Sequence, residues 1–295
     1  MRPAELGYLL LAETLGDPRR KPLTSYQLRT LTNRMRSMPK STEDRELEEQ
    51  DLVAAGYSRA DAGHILQLLS QQELLAAYLG RAIRQDCSFT TRISATYPAV
   101  LKNKLGLDAP PVLWLRGDPE LLEMPMVSLV GSRDLNPENL AFAREVGRKA
   151  AKQGYALVSG NARGADRAAQ EAALEAGGKV ISVVADSLIG HELQPDVLYI
   201  SENGIDESFS SQRAHSRNRI IHCLGQKVFV AQTSLETGGT WHGTIKNLQK
   251  QWTPVYGFDD ASKGMQSLSQ MGMTLITGEE LSRISALTDR NISFF

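Results

Sequence analysis

The sequence predicts an α/β fold: a small helical N-terminal part followed by a parallel sheet covered by helices on both faces. Three features predict it. From Met126 onward, short β-branched apolar runs alternate with helical stretches, the signature of βαβ units. Two of these runs, VSLVGSRDLNP (Val127–Pro137) and LVSGNARGAD (157–166), end in a glycine-containing turn that opens into a helix. Upstream, Ile65, Leu66, Leu68, Leu69, Leu74, Leu75 and Leu79 recur at helical spacing.

Residues 1–85 read as helices. The polar, charged segment Ser37–Gln50, with Pro39 near its start, reads as a connection between them. Cys87–Arg92 is extended in pattern. Pro110 and Pro111 break any helix ahead of a short strand, Val112–Leu115. Strand Val127–Val130 leads to a helix over Pro137–Gln153. Asn136 caps that helix, Pro137 suits its first position and Gly154 ends it. Strand Tyr155–Val158 leads to a helix over Ala165–Ala176, closed by Gly177 and Gly178. Strands Val180–Val184, Val228–Ala231, Pro254–Tyr256 and Thr274–Ile276 follow, with helices between. The expected division is a helical domain over 1–90 and a sheet domain over 91–295.

Composition sets bounds. The 295 residues carry 33 basic and 34 acidic side chains, a net charge of −1. That balance argues against strong nonspecific duplex binding, yet leaves room for a local basic pocket, which needs few charges. No apolar run approaches the ~18–20 residues of a membrane span. The N-terminal run reads as a first helix and not as a signal peptide. Cys87 and Cys223 stand far apart, without metal-ligand spacing, and read as unpaired thiols in a reducing cytoplasm.

Four segments carry candidate chemistry. Gly131-Ser132-Arg133 lets backbone approach an anion, with a hydroxyl and a guanidinium at hand; the alternative is a tight turn with a solvated arginine. Ser159-Gly160-Asn161-Ala162-Arg163-Gly164 sits at a helix entrance, where the dipole favours an anion; Asp166 stabilises that end or positions Arg163. In Arg213-Ala214-His215-Ser216-Arg217-Asn218-Arg219, Arg213 and Arg217 share a helix face and Arg219 points elsewhere; the alternative is a solvated charge run. Glu236-Thr237-Gly238-Gly239-Thr240 is a third possible cradle, or a flexible loop. No GxxxxGK[ST] phosphate loop is present, and the five histidines are scattered. Hence no catalytic residue, metal site or cofactor is expected.

The order of VGSR, VSGNARGAD, Ile200-Ser201-Glu202, SRNRII and the TGGT loop, with the lead-in YPAVL and PPVLWLRGDPELL, resembles the DNA-processing protein A (DprA/Smf) family over about residues 90–257. The resemblance implies an extended Rossmann-like sheet preceded by a small SAM-like helical domain. It also implies single-stranded DNA binding in a basic pocket, a homodimer, and loading of a strand-exchange recombinase during natural transformation. On that pattern Arg133, Arg163, Arg217 and Arg219 contact phosphates, Gly131, Ser132, Ser159, Gly160 and Gly164 shape the pocket, and Asn218 holds a turn. The chain departs from the pattern in places. ADSLIGHELQPDV replaces a longer Tyr-Pro segment, and Gln232 stands where a glutamate is frequent. TGGTWHGTI replaces SGSLITA, and the chain ends at Phe295 without the C-terminal winged helix that many members add. Trp241 is either a base-stacking platform or a core residue.

Two other functions stay open at the level of sequence. One is a DNA- or nucleotide-sensing regulator, antitoxin-like, acting on a neighbouring effector in antiphage defence. The other is a nucleotide phosphoribohydrolase of the Lonely Guy type. That motif needs a glutamate where this chain has Gly243, so the acid–base group is missing.

Overall fold

A computed structural model describes residues 3–38 and 46–288. Of the expected charged connection 37–50, residues 39–45 lie outside the described residues. Five helices come first: α1 (Pro3–Ala12), α2 (Ser25–Ser37), α3 (Glu49–Ala54), α4 (Arg59–Leu69) and α5 (Gln72–Arg84). Local signals set their ends. Thr24 accepts from the Gln27 N–H, and the Gln27 side chain reaches back to the Thr24 N–H, a capping box at α2. Ser58 caps α4 in the simpler way. The Ile65–Leu79 periodicity spans two helices, with a turn at Ser70 and Gln71 between them.

Then come β1 (Cys87–Thr91), α6 (Ala99–Leu105), β2 (Val112–Arg116), β3 (Met126–Val130), α7 (Pro137–Lys152), β4 (Ala156–Ser159) and α8 (Ala165–Glu175). They are followed by β5 (Lys179–Val183), β6 (Val197–Ser201), α9 (Ser211–Leu224), β7 (Val228–Val230), α10 (Gly238–Lys250), β8 (Val255–Phe258), α11 (Lys263–Gln270) and β9 (Thr274–Ile276). Among the described residues no helix is long and apolar enough to cross a membrane.

One nine-stranded sheet runs β1-β2-β6-β5-β4-β3-β7-β8-β9. The seven strands from β6 to β9 are parallel. The sheet is parallel as expected except at one edge, where β2 pairs antiparallel with both β1 and β6. The sequence reading also missed β6 as a strand. Its run VLYIS is fully buried and short, and it follows a polar loop and not a helix. The expected boundary after residue 90 falls inside β1, which hydrogen-bonds along β2.

The strands alternate in which core they serve. Val127, Leu129 and Leu157 face a core built with α1–α5, α7 and α8. Met126, Val130, Ala156 and Val158 face a second core built with α6, α9, α10 and α11. The N-terminal helices therefore share one apolar layer with the sheet. Tyr78 packs edge-on against Trp114 at 5.2 Å between ring centres, its hydroxyl accepts from the Ile205 N–H at 2.9 Å, and Arg81 pairs with Asp206.

Strand order reverses between β3 and β7: from β3 the chain works outward to β6, then crosses to β7. Ligands of open α/β sheets bind in the crevice beyond the strand ends at such a reversal. The turns that leave β3 and β7 flank it here.

Candidate nucleic-acid interface

Three turns and three helix starts meet at the carboxyl end of the sheet, and backbone hydrogen bonds stitch them together. After β3, Ser132 N donates to Gln232 O at 3.0 Å and Ser132 O accepts from Ala165 N at 3.1 Å. The first turn is thereby held between the turn after β7 and the start of α8. Asn139 fixes the other side: its Nδ2 donates to Ala231 O at 2.6 Å, and its N–H donates to the Asn136 cap at 2.9 Å. Gln232 accepts from Asn136 N at 3.2 Å.

The packing leaves no room for side chains at these glycines. A Cβ on Gly131 would collide with Ala165. Gly164 has φ +89°, and a Cβ there would overlap the carbonyls of Ser132 and Arg133. Gly164→Ala is accordingly expected to cost about 1–3 kcal/mol in chemical denaturation. It should also part the first turn from α8.

Arg217 forms the floor of the crevice. It is 6% exposed, and its Nη1 donates to Val183 O at 2.6 Å. Its Nε has no partner among the described residues. The guanidinium lies against the backbone of Gly160, where any Cβ would collide with it. The carboxyl of Asp166, also buried, accepts from Ala162 N at 3.3 Å. Burial pushes this carboxyl above its ordinary range, while the nearby Arg217 charge works the other way. Asp166 thus does not pair with Arg163; it balances Arg217. Ser159 is buried beneath this pair.

The other arginines divide. Arg133 is exposed and has no ion-pair partner among the described residues. Arg163, 72% exposed, meets Asp134 at 2.7 Å, a pair too solvated to hold the side chain against a ligand. Arg213 and Arg219 do not face the crevice. Arg213 pairs with Glu207 at 2.5 Å, and Arg219, 15% exposed, pairs with Glu202 at 2.5 Å and donates from Nε to Asp108 O. Arg213 and Arg217 lie a turn apart on α9 as expected, yet only Arg217 reaches the strand ends.

Two adjoining hollows result. One, of about 280 Å³, lies between Arg133, Gly160, Arg163, Asp186, Phe209 and Arg217. The other, of about 360 Å³, is lined by Gly131, Ser132, Arg217, Asn218, Gly239 and Thr240. They share Arg133, Ala162 and Arg217. Asn218 donates to Gly239 O at 3.1 Å, tying α9 to the start of α10. The third cradle is therefore brought to the same place as the first two.

Sequence reasoning missed Phe209 and Asp186. Phe209 is 52% exposed beside the three cleft arginines, a ring face open to a planar ligand. Its signal was a lone aromatic in a polar stretch just ahead of the Ser210 cap of α9. Asp186 pairs with His191 at 2.9 Å, whose ring stacks on Tyr199. Of the two readings of Trp241 the core one holds: at 3% exposure it is a core residue of α10 and offers no face to a base.

The family model for DNA recombination-mediator protein A matches residues 88–284. The DNA processing protein DprA of Streptococcus pneumoniae is 32% identical over 185 residues, 58% of this chain and 64% of that protein. The chain thus matches just under two thirds of that relative's length. The Bacillus subtilis DNA processing protein DprA is 25% identical over 260 residues, 78% of this chain and 86% of the relative. The crystal structure of the pneumococcal protein superposes with a TM-score of 0.66 at 24% identity, covering 88% of this chain and 97% of that one. DNA processing protein A of Helicobacter pylori, whose structure describes a single-stranded DNA binding mode, superposes with a TM-score of 0.56 at 24% identity over 67% of this chain and 94% of that chain. With its sheet, its glycine turns and two thirds of its length matched, this chain belongs to the DNA recombination-mediator protein A family.

Proposed function

We propose that this protein binds single-stranded DNA in the crevice between β3 and β7, and that it serves, as a homodimer in the cytoplasm, to hand the strand to a strand-exchange recombinase. The observation that carries the reading is the convergence of Arg133, Arg163 and Arg217 on one edge, beside an exposed ring. Phosphate binding needs a fixed charge and a free N–H donor, and Arg217, with its unpartnered Nε, supplies both. Phe209 gives a base a face to stack on, which a duplex cannot use without unstacking. Membership of a recombination-mediator family supports the handover to a recombinase. The pocket has the character of a binding site and not of an acid–base centre, since its buried carboxyl, Asp166, is engaged by the Ala162 N–H of its own turn.

The test is fluorescence anisotropy of a labelled single strand at several salt concentrations, with the matching duplex beside it. Tight binding to the single strand is expected, weakening with salt as counterions are released. Arg133→Ala should weaken it and flatten the salt dependence by about 0.7–1 unit per lost phosphate contact. Absence of binding at low salt, or an Arg133→Ala curve that overlays the parent, sinks the reading.

A further inference from the structure

A further hollow lies outside the crevice just described. It has a volume of about 730 Å³ and opens between the start of α2 and the facing sides of α9 and α10. It adjoins the crevice: His215, Asn218 and Gly239 line both. The Asn218–Gly239 hydrogen bond lies in the ridge between them. A strand leaving the Arg217 floor along α9 would therefore cross this ridge into the second hollow.

The chemistry beyond the ridge suits a nucleotide. Tyr26, in the first turn of α2, is 69% exposed on the rim, an apolar ring held out to solvent. Its amphipathic ring, exposed at the rim of a hollow, offers a planar partner a face. Opposite it stand exposed His215 and His242 with Lys246, whose ammonium lies 5.7 Å from the Trp252 ring centre and has no ion-pair partner among the described residues. Arg219 is already neutralised by Glu202, and Asp108 is the one acidic side chain in the lining. Ring, imidazoles and ammonium match a base and a phosphate better than an apolar or a cationic ligand.

We propose that this hollow is a second nucleotide subsite, in which a base of the bound strand stacks on Tyr26 while Lys246 meets a phosphate. The helical N-terminal part then contributes directly to the DNA interface. The subsite rests on the reading of the crevice as a single-strand site and extends it to a longer stretch of the same strand.

The test is a length series of labelled oligothymidylates, about 4 to 16 nucleotides, bound to the parent protein, Tyr26→Ala and Lys246→Ala. Both side chains are exposed, and matching melting curves verify that the variants fold. The expected result is equal affinity for the shortest strands that bind. On longer strands the variants fall behind by about fivefold or more, the usual yield of one stacked base. A strand carrying 5-iodouracil should also crosslink to Tyr26 on irradiation, and only when it is long enough to cross the ridge. Variants that track the parent at every length, or that lose equally at every length, overturn the subsite and leave the crevice reading standing. No binding of the parent at any length overturns the crevice reading and the subsite with it.

Discussion

Arg217→Ala is expected to cost both stability and DNA affinity, and the two losses should separate in a double variant. The guanidinium is buried, bonded to Val183 O and electrostatically coupled to the buried Asp166. Removing it leaves Val183 O without that donor and the buried Asp166 carboxyl without a nearby opposite charge, a cost of about 1–3 kcal/mol. Asp166→Asn in the same chain removes the stranded charge, so most of that stability should return. Affinity for a single strand should not return, because the donor facing the phosphates is still gone. Urea denaturation and anisotropy on the two variants provide the check. A double variant that binds like the parent would make Arg217 purely a structural residue. Gly160→Ala should act in the same direction, since its methyl would displace the guanidinium that now occupies that space.

Stability should fall as pH rises from 6.5 to 8, and Glu13→Gln should abolish the fall. Glu13 follows α1 and is fully enclosed against β2, where Trp114 Nε1 donates to its Oε2 at 3.2 Å. Burial pushes its carboxyl up from 4.5 to about 8, opposed by the Trp114 hydrogen bond and Arg20 and reinforced by Glu202 and Glu207. A carboxyl with a raised folded pKa stabilises fully below its unfolded value and loses that contribution as pH climbs to its folded one. His222 works in the opposite direction. It is fully buried on α9, where burial alone pushes its pKa down from 6.5 to about 4. Asn247 fixes its tautomer: Oδ1 accepts from Thr253 N at 2.9 Å, so Nδ2 donates to His222 Nδ1 and the ring proton sits on Nε2. That imidazole stabilises above pH 6.5, and its contribution is lost as pH falls toward 4.

The two slopes cancel between pH 4.5 and 6.5, and only Glu13 remains above 6.5. The decline from 6.5 to 8 should reach about 2 kcal/mol, at roughly 1.4 kcal/mol per pH unit for one proton. In Glu13→Gln the alkaline side should be flat and the acid slope of His222 should appear. Denaturation midpoints measured across pH give both readouts. An alkaline decline unchanged in the variant would show that Glu13 is ionised in the folded protein at neutral pH.

The glycine turns, the α7 cap at Asn136 and the strands from β3 to β5 were legible because their causes are local. A buried strand needs a short apolar run, a helix start needs a capping oxygen, and a turn without room for a Cβ needs glycine. β6 was not legible, because its run is bracketed by loops and only its neighbours β5 and β2 make it a strand. The antiparallel edge escaped for the same reason, since strand direction is a property of pairing and leaves no mark on one strand's sequence. Trp241 reads as core or as a platform until α9 is placed against its helix.

The sequence by itself determined the βαβ alternation, the family and the place along the chain where the cradles fall. Tertiary structure alone decided which charges are available. Arg213, Arg217 and Arg219 stand in one basic stretch, yet Glu207 takes the first, Glu202 takes the third, and Arg217 turns inward over Gly160. Arg133 makes no ion pair among the described residues. Charge on a side chain is local, but its balance depends on which carboxylates the fold brings within a few ångströms, and those come from other strands and turns.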